Sequence, residues 1–496
     1  MMTLPLFVVI PLAAAFLLSL LGKKIKNLPD LLSNLATLSL IILSVYSIKL
    51  ISAYKILVYK VGGWLPPIGI CMVMDGLTSF MLVTVNLVSF LITIYSINYM
   101  EKYTDKYRFY TLFMLMLAGM NGIIISGDLF NLFVFLEIAS IASYALVAFG
   151  TEAEELEASF KYAVMGSVAS CFILLGIALL YSYTSTLNMA DISRVISSRP
   201  TGTMIPFIIA LFLAGFGLKA ALVPFHAWLP DAHPSAPAPI SAMLSGVLIK
   251  VLGVYALIRI FFNIIGINNT TLSVLMFLGT VSMLVGVFLA IGQWDFKRLL
   301  AYHSISQIGY VILGIGLGTP LGILGGLFHL FNHSIFKSLL FLNSGALDYS
   351  LGTRDLRQMG GLKEKMPVSA NTNLVASMSI SGVPPFNGFF SKFLIILACI
   401  QSGQIIYAVC AVVASILTLA SFMKVQKYAF LGRLNEKWRA VKDVPWAMNL
   451  SMIILAIICI IAGLLVLPPF APFLNSAVNV LLSGQGYAET VFTMVR

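Results

Sequence analysis

Charged residues are scarce in this sequence. Only 10% of its 496 residues are Asp, Glu, Lys or Arg, whereas 59% are hydrophobic, and the mean hydropathy is +0.99. A soluble domain carries about 25% charged residues, so this composition predicts a protein that crosses a membrane many times and has no large soluble domain. The net charge of +11 does not indicate nucleic-acid binding, because the basic residues fall in short loops between apolar runs.

Cysteine is also scarce, and the motifs that bind common cofactors are missing. The sequence has no CxxC pair, no GxGxxG after a predicted strand, no GxxxxGK(S/T) and no Ser/His/Asp signature in context. The five cysteines all lie in or beside apolar runs: Cys71, Cys171, Cys399, Cys410 and Cys459. We expect them to be packing residues and not ligands of zinc or an iron–sulfur cluster. The sequence therefore predicts no metal, no cofactor and no redox chemistry within this chain.

Long apolar runs dominate the chain. Windows of about 20 residues predict an all-α fold with about 14 membrane spans. The spans are expected near 3–22, 31–50, 72–99, 109–126, 129–149, 160–182, 204–223, 237–262, 271–291, 299–317, 320–347, 369–400, 406–430 and 448–468. The first run is too long for the core of a signal peptide, and no small-residue cleavage site follows it, so it is expected to remain as a span. The stretch 469–496 opens with several prolines and fits either an interfacial helix or a partial span.

The basic residues of the loops predict the orientation. If the N-terminus is outside, the inside loops hold 19 Lys and Arg residues, Lys297 among them, and the outside loops hold 6, Arg259 among them. Because Lys and Arg accumulate in short loops on the inside, both termini are predicted to lie outside.

A few charged residues fall within the spans themselves. Four are lysines, Lys219, Lys250, Lys337 and Lys392, and one clear carboxylate accompanies them, Glu137. A lysine in hydrocarbon costs about 2.5–3.5 kcal/mol, so each of the four needs a reason to be there. We interpret them as proton carriers, because a desolvated lysine can release its proton. Snorkelling to an interface is the alternative, and it suits Lys250 poorly.

Glu137 lies in the middle of FNLFVFLEIASIASYAL. The sequence predicts an ion pair between this carboxylate and a lysine of another span, which would couple the protonation of the two groups. The alternative is a protonated carboxyl group bonded to a neighbouring hydroxyl, such as that of Ser140 or Ser143.

Histidines extend this set of polar residues. His329, His333 and Lys337 stand at i, i+4 and i+8, so a helix would place them along one face, where they can hold water and pass protons. A haem or metal site at His329 and His333 is the alternative, but it needs further facing histidines, and only His226, His233 and His303 remain.

Polar loop residues add accessory candidates. His226, Asp231 and His233 lie in a proline-rich turn, where they either assist the relay or bond the backbone groups that the prolines leave free. His303 is a further accessory candidate. The acidic run of Glu152, Glu154, Glu155 and Glu157 indicates a solvated helix start or a docking surface for a partner.

Two spans are interrupted by proline. Pro224-Phe225 breaks one span and Pro385-Phe386 breaks another 161 residues later, with Lys219 before the first break and Lys392 after the second. Paired, interrupted spans at corresponding positions indicate a transporter built from inverted repeats.

These motifs together resemble the antiporter-like proton-channel subunits of respiratory complex I, membrane-bound hydrogenases and Mrp cation/proton antiporters. The resemblance covers nearly the whole chain and rests on FLEIASIASYAL, GLKAALVPFHAWLPDAHPSAPAPISAMLSGVLIK, RLLAYHSISQIGY, HLFNHSIFKSLLFL and GVPPFNGFFSKF. It implies 14 transmembrane helices, with two inverted five-helix units that each contain a broken helix. The expected divisions are 1–108, 109–265, 266–430 and 431–496: the N-terminal helices, the first unit, the second unit, and a C-terminal helix with a tail.

The resemblance also implies roles for single residues. Glu137 and Lys219 match the family's coupled pair, and Lys250 matches its central lysine. Lys392 matches the terminal carrier, where some members have glutamate. The connecting helix of the family is matched by His329, His333 and Lys337.

The implied function is proton translocation within a multi-subunit complex of a prokaryotic cell membrane, beside paralogous antiporter-like subunits and lipid. The turn HAWLPDAHPSAPAPISAMLSG favours a hydrogenase or complex I type, in which this chain would serve a redox-driven translocase. The D-type subunit of an Mrp-type Na⁺/H⁺ antiporter is the alternative, and a haem- or quinone-binding redox subunit is a less favoured one.

Overall fold

The computed structural model describes residues 3–66, 68–199 and 202–495 and is almost entirely helical. The helices, in chain order, are α1 Leu6–Leu21, α2 Leu28–Tyr54, α3 Gly76–Tyr99, α4 Lys106–Ile125, α5 Leu129–Val147, α6 Ala153–Thr184, α7 Met189–Ser198, α8 Met204–Lys219, α9 Leu229–Ser235, α10 Ala238–Ile265, α11 Asn269–Ile291, α12 Phe296–Gly316, α13 Pro320–Leu351, α14 Pro367–Ser381, α15 Asn387–Gln401, α16 Ile405–Phe430, α17 Trp446–Ile461, α18 Ala471–Leu482 and α19 Tyr487–Val495. Short 3₁₀ turns occupy Val61–Gly63, Met100–Lys102, Leu356–Gln358, Leu362–Glu364, Glu436–Trp438, Ala462–Val466 and Gly484–Gly486. The prediction of an all-α polytopic membrane protein is confirmed.

Within the described residues, ten helices are long and apolar enough to cross a membrane. Shorter apolar helices, α1, α8, α15 and α18, account for further predicted spans or parts of them. Helix α13 spans 32 residues, but its polar stripe of histidine, asparagine, serine and lysine lowers its hydropathy. Hydropathy alone therefore does not identify α13 as a membrane span, although this helix carries many of the buried polar groups.

A small β-hairpin interrupts the helices on the N-terminal side and was not predicted. Strands β1 (Leu57–Lys60) and β2 (Cys71–Met74) pair antiparallel, with Leu57 opposite Met74. Asp75 ends the hairpin and starts α3, because its carboxylate accepts a hydrogen bond from the backbone N–H of Thr78. The predicted span near 72–99 therefore begins as a strand.

Helix α6 begins earlier than predicted. Its start is a capping box, in which the side chains of Glu152 and Glu155 accept from each other's backbone N–H groups. Glu154 and Glu155 also place negative charge in the first turn, where the helix dipole favours it. The acidic run is thus a helix start, as one of the two interpretations predicted.

The two proline-rich breaks are present where the sequence predicts them. The first lies between α8 and α9, and Trp228 Nε1 donates to the Leu218 carbonyl oxygen that the break exposes. The second lies between α14 and α15, where Gly382 has a φ of 78° that favours glycine. Its exposed Ile380 carbonyl oxygen accepts from Lys392 Nζ at 2.8 Å. Side chains therefore bond the backbone groups that an interrupted helix leaves free.

Helix α10 lies at the centre of the molecule and is largely a π-helix. The π-helical stretches are 244–248, 250–255 and 259–265, and its most apolar window is completely buried. Gly253 permits close approach to the first break, since a Cβ there would lie 2.5 Å from the Ala220 backbone nitrogen. At Gly246 a Cβ would collide with Ser338 Oγ on α13. Helix α10 is thus held between α8 and α13 at positions that only glycine fits.

The C-terminal stretch forms a strap, residues 471–495, that packs against α3, α7 and the end of α10. Asn263 Nδ2 donates to the Val480 and Gly484 carbonyl oxygens, at 2.7 and 3.1 Å. Gln485 Nε2 donates in return to the Ile264 and Ile265 carbonyl oxygens. Its helices have 12 and 9 residues, too short to cross about 30 Å of hydrocarbon alone.

Candidate functional site

The residues predicted from the sequence form what we call the polar row: Glu137, Lys219, Lys250, His329, His333, Lys337 and Lys392. Its lysines and histidines are all buried, with 0–4% of their surface exposed, whereas Glu137 is half-buried. They come from α5, α8, α10, α13 and α15, so the row crosses both predicted five-helix units.

The first part of the row lies between α5 and α8. Lys219 Nζ donates to Ser140 Oγ at 3.0 Å and contacts the Tyr144 hydroxyl at 3.3 Å. Glu137 accepts a 2.5 Å hydrogen bond from Ser170 Oγ on α6. Glu137, Ser140 and Tyr144 stand at i, i+3 and i+7 and so share one face of α5.

The predicted ion pair at Glu137 is not formed. Among the described residues, no lysine or arginine nitrogen lies within 4.0 Å of this carboxylate. Lys219, at the end of α8, instead contacts α5 at Ser140 and Tyr144, and its ammonium bonds these two hydroxyl groups. The alternative partners were also wrong, because the Glu137 carboxylate is bonded to Ser170, a residue of a different helix. Each of the two charges therefore bonds its own hydroxyl groups and not the other charge.

The centre of the row is Lys250 on α10. Lys250 Nζ donates to the carbonyl oxygen of Ser245, five residues earlier on the same helix. Ser245 Oγ is 2.7 Å from Ser304 Oγ on α12, which joins α10 to the second unit. Single-turn π segments are frequent at functional sites, and here one surrounds a buried lysine.

The second part of the row follows one face of α13. Lys337 Nζ donates to the Leu300 carbonyl oxygen at 2.5 Å, and the His329 and His333 rings are nearly parallel, 6.3 Å apart. His333 lies within electrostatic range of Lys250, Lys337 and Lys392. The stripe predicted from the i, i+4, i+8 spacing therefore contains one lysine, Lys337, and has two more, Lys250 and Lys392, within electrostatic range.

Several buried nitrogens near this stripe have no hydrogen-bond partner among the described residues. They are both ring nitrogens of His233, His303 and His333, and Nε2 of Gln307. A buried polar group without a partner costs about 1–3 kcal/mol, and such groups in folded proteins are normally bonded to ordered water. The stripe therefore has side-chain nitrogens that are available as hydrogen-bond donors and acceptors between the helices.

His329 connects the stripe to the end of the row. Its Nδ1 is 2.9 Å from Ser391 Oγ, and its Nε2 is 3.2 Å from Gln307 Oε1. Both nitrogens are thus engaged, so a metal or haem site at His329 and His333 does not suit this arrangement. The described residues also contain no group of three or more His, Cys, Asp or Glu placed to hold a metal ion.

Lys392 ends the row on α15, directly after Ser391. Besides the Ile380 carbonyl oxygen, its Nζ contacts Ser415 Oγ at 3.3 Å and lies 4.7 Å above the Tyr310 ring. A cavity of about 270 Å³ reaches this lysine between α15 and α16. The terminal lysine therefore has an opening toward the protein surface.

The accessory candidates separate into two groups. His233 and His303 are fully buried beside the polar row. Asp231 instead lies at the surface, where it bonds Lys161 at 3.1 Å. His226 lies in the turn of the first break and is half-buried. Asp231 is therefore not brought into the row.

Asp231 belongs to a charged vestibule at the predicted inside face. This cavity of about 410 Å³ is lined by Glu154, Glu157, Ala158, Lys161, Pro230, Asp231, Pro234, Ser235, Asp295, Arg298 and Arg354. Ion pairs cross it, such as the one of 3.4 Å between Arg354 and Asp295.

The sequence analysis missed several buried charges, and three of them bear on the site. Arg259, assigned to an outside loop, is 3% exposed, and Asp75 is equally buried. They form a bidentate ion pair, with nitrogen–oxygen distances of 2.7 and 2.8 Å. Lys297, assigned to an inside loop, is 2% exposed at the start of α12. The signal for Arg259 was its place nine residues after Lys250 within one apolar run.

A multi-pass bundle with two broken helices and a buried row of lysines is the architecture of an antiporter-like membrane subunit. Residues 126–418 match the family described as NADH:quinone oxidoreductase/Mrp antiporter, TM, and residues 64–110 match that described as NADH-Ubiquinone oxidoreductase (complex I), chain 5 N-terminus. The first match contains the whole polar row. The chain belongs to the NADH:quinone oxidoreductase/Mrp antiporter transmembrane family.

Individual relatives agree with this assignment. The chain is 35% identical to the D-type subunit of the Na(+)/H(+) antiporter of Alkalihalophilus pseudofirmus, over 98% of this chain and 99% of that one. It is 38% identical to the N-type subunit of the NADH-quinone oxidoreductase of Desulforudis audaxviator, over 78% of each chain.

Solved structures are similar along the whole chain. A chain of the Mrp complex from a Dietzia species superposes with a TM-score of 0.91 at 28% identity, covering 100% of this chain and 99% of that one. A chain of the membrane-bound sulfane sulfur reductase, an archaeal respiratory complex, superposes with a TM-score of 0.90 at 30% identity, covering 98% and 99%.

Proposed function

We propose that this chain translocates protons as an antiporter-like subunit of a multi-subunit, energy-converting membrane complex. One observation carries the proposal: Lys219, Lys250, Lys337 and Lys392 are buried on four different helices, and each ammonium bonds only neutral oxygen atoms. No carboxylate of the described residues lies within 4.0 Å of any of them. Four desolvated cations without a counter-ion would be costly as structural elements alone.

The chemistry of such a lysine is reversible protonation. Burial removes the hydration of the ammonium, so a modest change in nearby charge decides whether the amine holds its proton. Glu137 supplies that change for Lys219, because its carboxylate lies on the same face of α5 as Ser140 and Tyr144, the two hydroxyl partners of the lysine. Movement of α5 relative to α8 would alter the distance between the two charges and so the protonation of Lys219.

Further along the row, imidazoles and hydroxyls provide short steps. A neutral imidazole accepts a proton at one nitrogen and releases one from the other. His329 has Gln307 on one nitrogen and Ser391 on the other, and Ser391 is adjacent to Lys392 in the chain. We infer a path from Lys219 through Lys250, Lys337, His333 and His329 to Lys392. His233 and His303 line it as accessory groups.

The proposal includes the setting of the chain. We place both termini outside a prokaryotic cell membrane, from the loop charges, and place other membrane subunits, including paralogous antiporter-like ones, beside the apolar outer surface. Exposed large side chains such as Phe16, Phe160 and Ile406, each 68–78% exposed, suit contact with lipid or another subunit. The two units 109–265 and 266–430 would each contribute one broken helix and one end of the row.

The test is Lys250→Met in the assembled complex. We expect proton translocation into inside-out membrane vesicles to fall about a hundredfold, because the central amine is lost while the apolar volume is kept. Assembly, measured as the amount of purified complex, should not change. Lys363→Met, at an exposed loop lysine, is the matched control and should translocate as the unmodified protein does. Unchanged translocation in Lys250→Met would contradict the proposal.

A further experiment distinguishes between two kinds of complex, a Na⁺/H⁺ antiporter and a redox-driven pump. The end-to-end match to the D-type subunit of a Na(+)/H(+) antiporter favours Na⁺/H⁺ exchange, and the equally complete match to the sulfane sulfur reductase favours a redox-driven pump. In vesicles that carry an imposed pH gradient and no redox substrate, Na⁺ should dissipate the gradient only in the first case. A haem absorption band in the purified subunit would instead support the redox-subunit alternative.

A further inference from the structure

Lys297 is a buried lysine that the polar row does not include. It is the second residue of α12, and 2% of its surface is exposed. Its Nζ donates to the Ala236 carbonyl oxygen at 2.7 Å and lies 3.4 Å from the Pro234 carbonyl oxygen. Both acceptors belong to the proline-rich turn that follows the first break. Lys297 therefore reaches from the second unit into the first.

Lys297 resembles the four lysines of the polar row in its hydrogen bonds, because its ammonium also bonds only neutral oxygen atoms. Its charged neighbours include Arg354, Lys102 and the carboxylates of Asp348, Asp295 and Glu155, and none of these three carboxylates lies within 4.0 Å of its ammonium. Asp348 is paired with Lys102 at 3.4 Å, and Asp295 with Arg354 at 3.4 Å. Lys297 is thus desolvated, bonded only to neutral oxygens, and without a counter-ion of its own.

Toward the membrane interior, Lys297 leads to the polar row. Leu300 is three residues further on, so it lies on the same face of α12, and its carbonyl oxygen accepts from Lys337 Nζ at 2.5 Å. His233, which directly precedes Pro234, is buried with both ring nitrogens free of partners among the described residues and is within electrostatic range of Lys337 and Lys250.

Toward the surface, Lys297 adjoins the vestibule. The Pro234 carbonyl oxygen that Lys297 approaches also accepts from Arg354 at 2.5 Å, and both Pro234 and Arg354 line the vestibule. The lining of this cavity also includes the carboxylates of Glu154, Glu157, Asp231 and Asp295. Lys297 therefore lies between Pro234, which lines the vestibule, and the turn of α12 whose Leu300 carbonyl oxygen bonds Lys337.

We propose that Lys297 is a further proton-carrying residue, through which protons pass between the inside vestibule and the row at Lys337, with His233 beside this path. This inference rests on the proposed function. A purely structural role would be different: a fixed positive charge that caps the carbonyl groups at the end of α9. The proton-carrying role requires that the Lys297 side chain can lose its proton, whereas the capping role does not.

Substitution by arginine separates them. Arginine retains the charge and the donors but does not deprotonate in proteins. We expect Lys297→Arg and Lys297→Met both to reduce translocation per assembled complex at least about tenfold. Lys424→Met is the matched control, because Lys424 Nζ also caps backbone carbonyls, of Ile291 and Gln293, but lies outside this path. It should keep most of the activity.

The outcomes are distinct. Near-normal translocation in Lys297→Arg would assign the residue a capping role and overturn the inference, as would near-normal translocation in Lys297→Met. If Lys250→Met also translocates normally, the proposed function itself is wrong. If Lys250→Met is inactive while both Lys297 variants are active, only the proposal for Lys297 fails.

A second experiment does not depend on altering Lys297. Ser235→Cys places a thiol on the vestibule wall. A bulky, membrane-impermeant maleimide applied to the inside face should then slow translocation about tenfold, because it blocks the vestibule, with the unmodified protein under the same treatment as control. Full activity of the labelled variant would show that protons do not use the vestibule.

Discussion

Lys250 and Arg259 lie on the same helix, α10, and differ in how their charge is held. Arg259 donates to both oxygens of Asp75, at 2.7 and 2.8 Å, and to Asn263 Oδ1 at 3.2 Å. Lys250 donates to the Ser245 carbonyl oxygen and has no carboxylate of the described residues within 4.0 Å. Both are buried, so the difference lies in their partners and not in their depth.

This difference distinguishes a structural charge from a mobile one. A guanidinium in a bidentate pair does not lose its proton, and the strap that bonds Asn263 holds the pair in place. A lysine with a single neutral acceptor holds its proton only as long as the surrounding charges permit. In the proposed function, the Arg259 end of α10 therefore anchors the helix, and Lys250 in its middle is the group that changes protonation.

The largest expected effect comes from breaking the anchored pair. Arg259→Met leaves the Asp75 carboxylate buried and unpaired, which should cost about 3–5 kcal/mol of folding free energy. Thermal or denaturant unfolding of the purified complex measures it. Lys250→Met is the control, and its unfolding should be little changed because it leaves no buried charge unpaired. Asp75→Asn combined with Arg259→Met should recover part of the loss. Equal destabilisation by Arg259→Met and Lys250→Met would remove the distinction.

The next effect is on transport. Lys250→Arg keeps the positive charge at the centre of α10 but removes the ability to release a proton. We expect translocation to fall at least about tenfold, with assembly retained, as a proton-carrying role requires. The companion variant Arg259→Lys should translocate nearly normally, since its charge is needed only for anchoring. Normal transport in Lys250→Arg would mean that a fixed charge is enough at that position.

Much of this could be predicted from the sequence, because in a membrane the informative residues are the rare polar ones. The spans, both breaks, and every lysine and histidine of the polar row follow from apolar run length, proline position and helical spacing. What could not be predicted depends on three-dimensional packing. The π-helical form of α10 and the β-hairpin have no marker in their apolar runs.

The errors have a common physical cause. Arg259 and Lys297 stand near the predicted ends of spans, where charge usually reaches water, yet the strap and the turn after the first break cover them. The prediction of an ion pair at Glu137 was wrong because hydropathy indicates which charged residues are buried but not which helices face each other. Ser170, the actual partner, lies on a helix that the sequence did not connect with Glu137.

A smaller effect concerns the carboxylate of the first unit. Glu137→Gln keeps an acceptor for Ser170 but removes the charge, so translocation should fall about tenfold while stability is nearly unchanged. Glu364→Gln, at an exposed loop carboxylate, is the control and should have no effect. The same rate in both variants would show that Lys219 is not governed by Glu137.

The smallest effect compares the two ends of the row, Lys219 and Lys392. Like Lys250 and Arg259, these two residues differ in the kind of group that accepts their hydrogen bonds. Lys219 bonds only side-chain hydroxyls, whereas Lys392 also bonds a backbone carbonyl oxygen that no substitution removes. Ser140→Ala combined with Tyr144→Phe should slow translocation several-fold, corresponding to about 0.5–1.5 kcal/mol for each lost hydrogen bond. Ser415→Ala, which removes the hydroxyl beside Lys392, should have less effect because the Ile380 carbonyl remains. A larger effect of Ser415→Ala would show that the hydroxyl, and not the backbone, positions the terminal lysine.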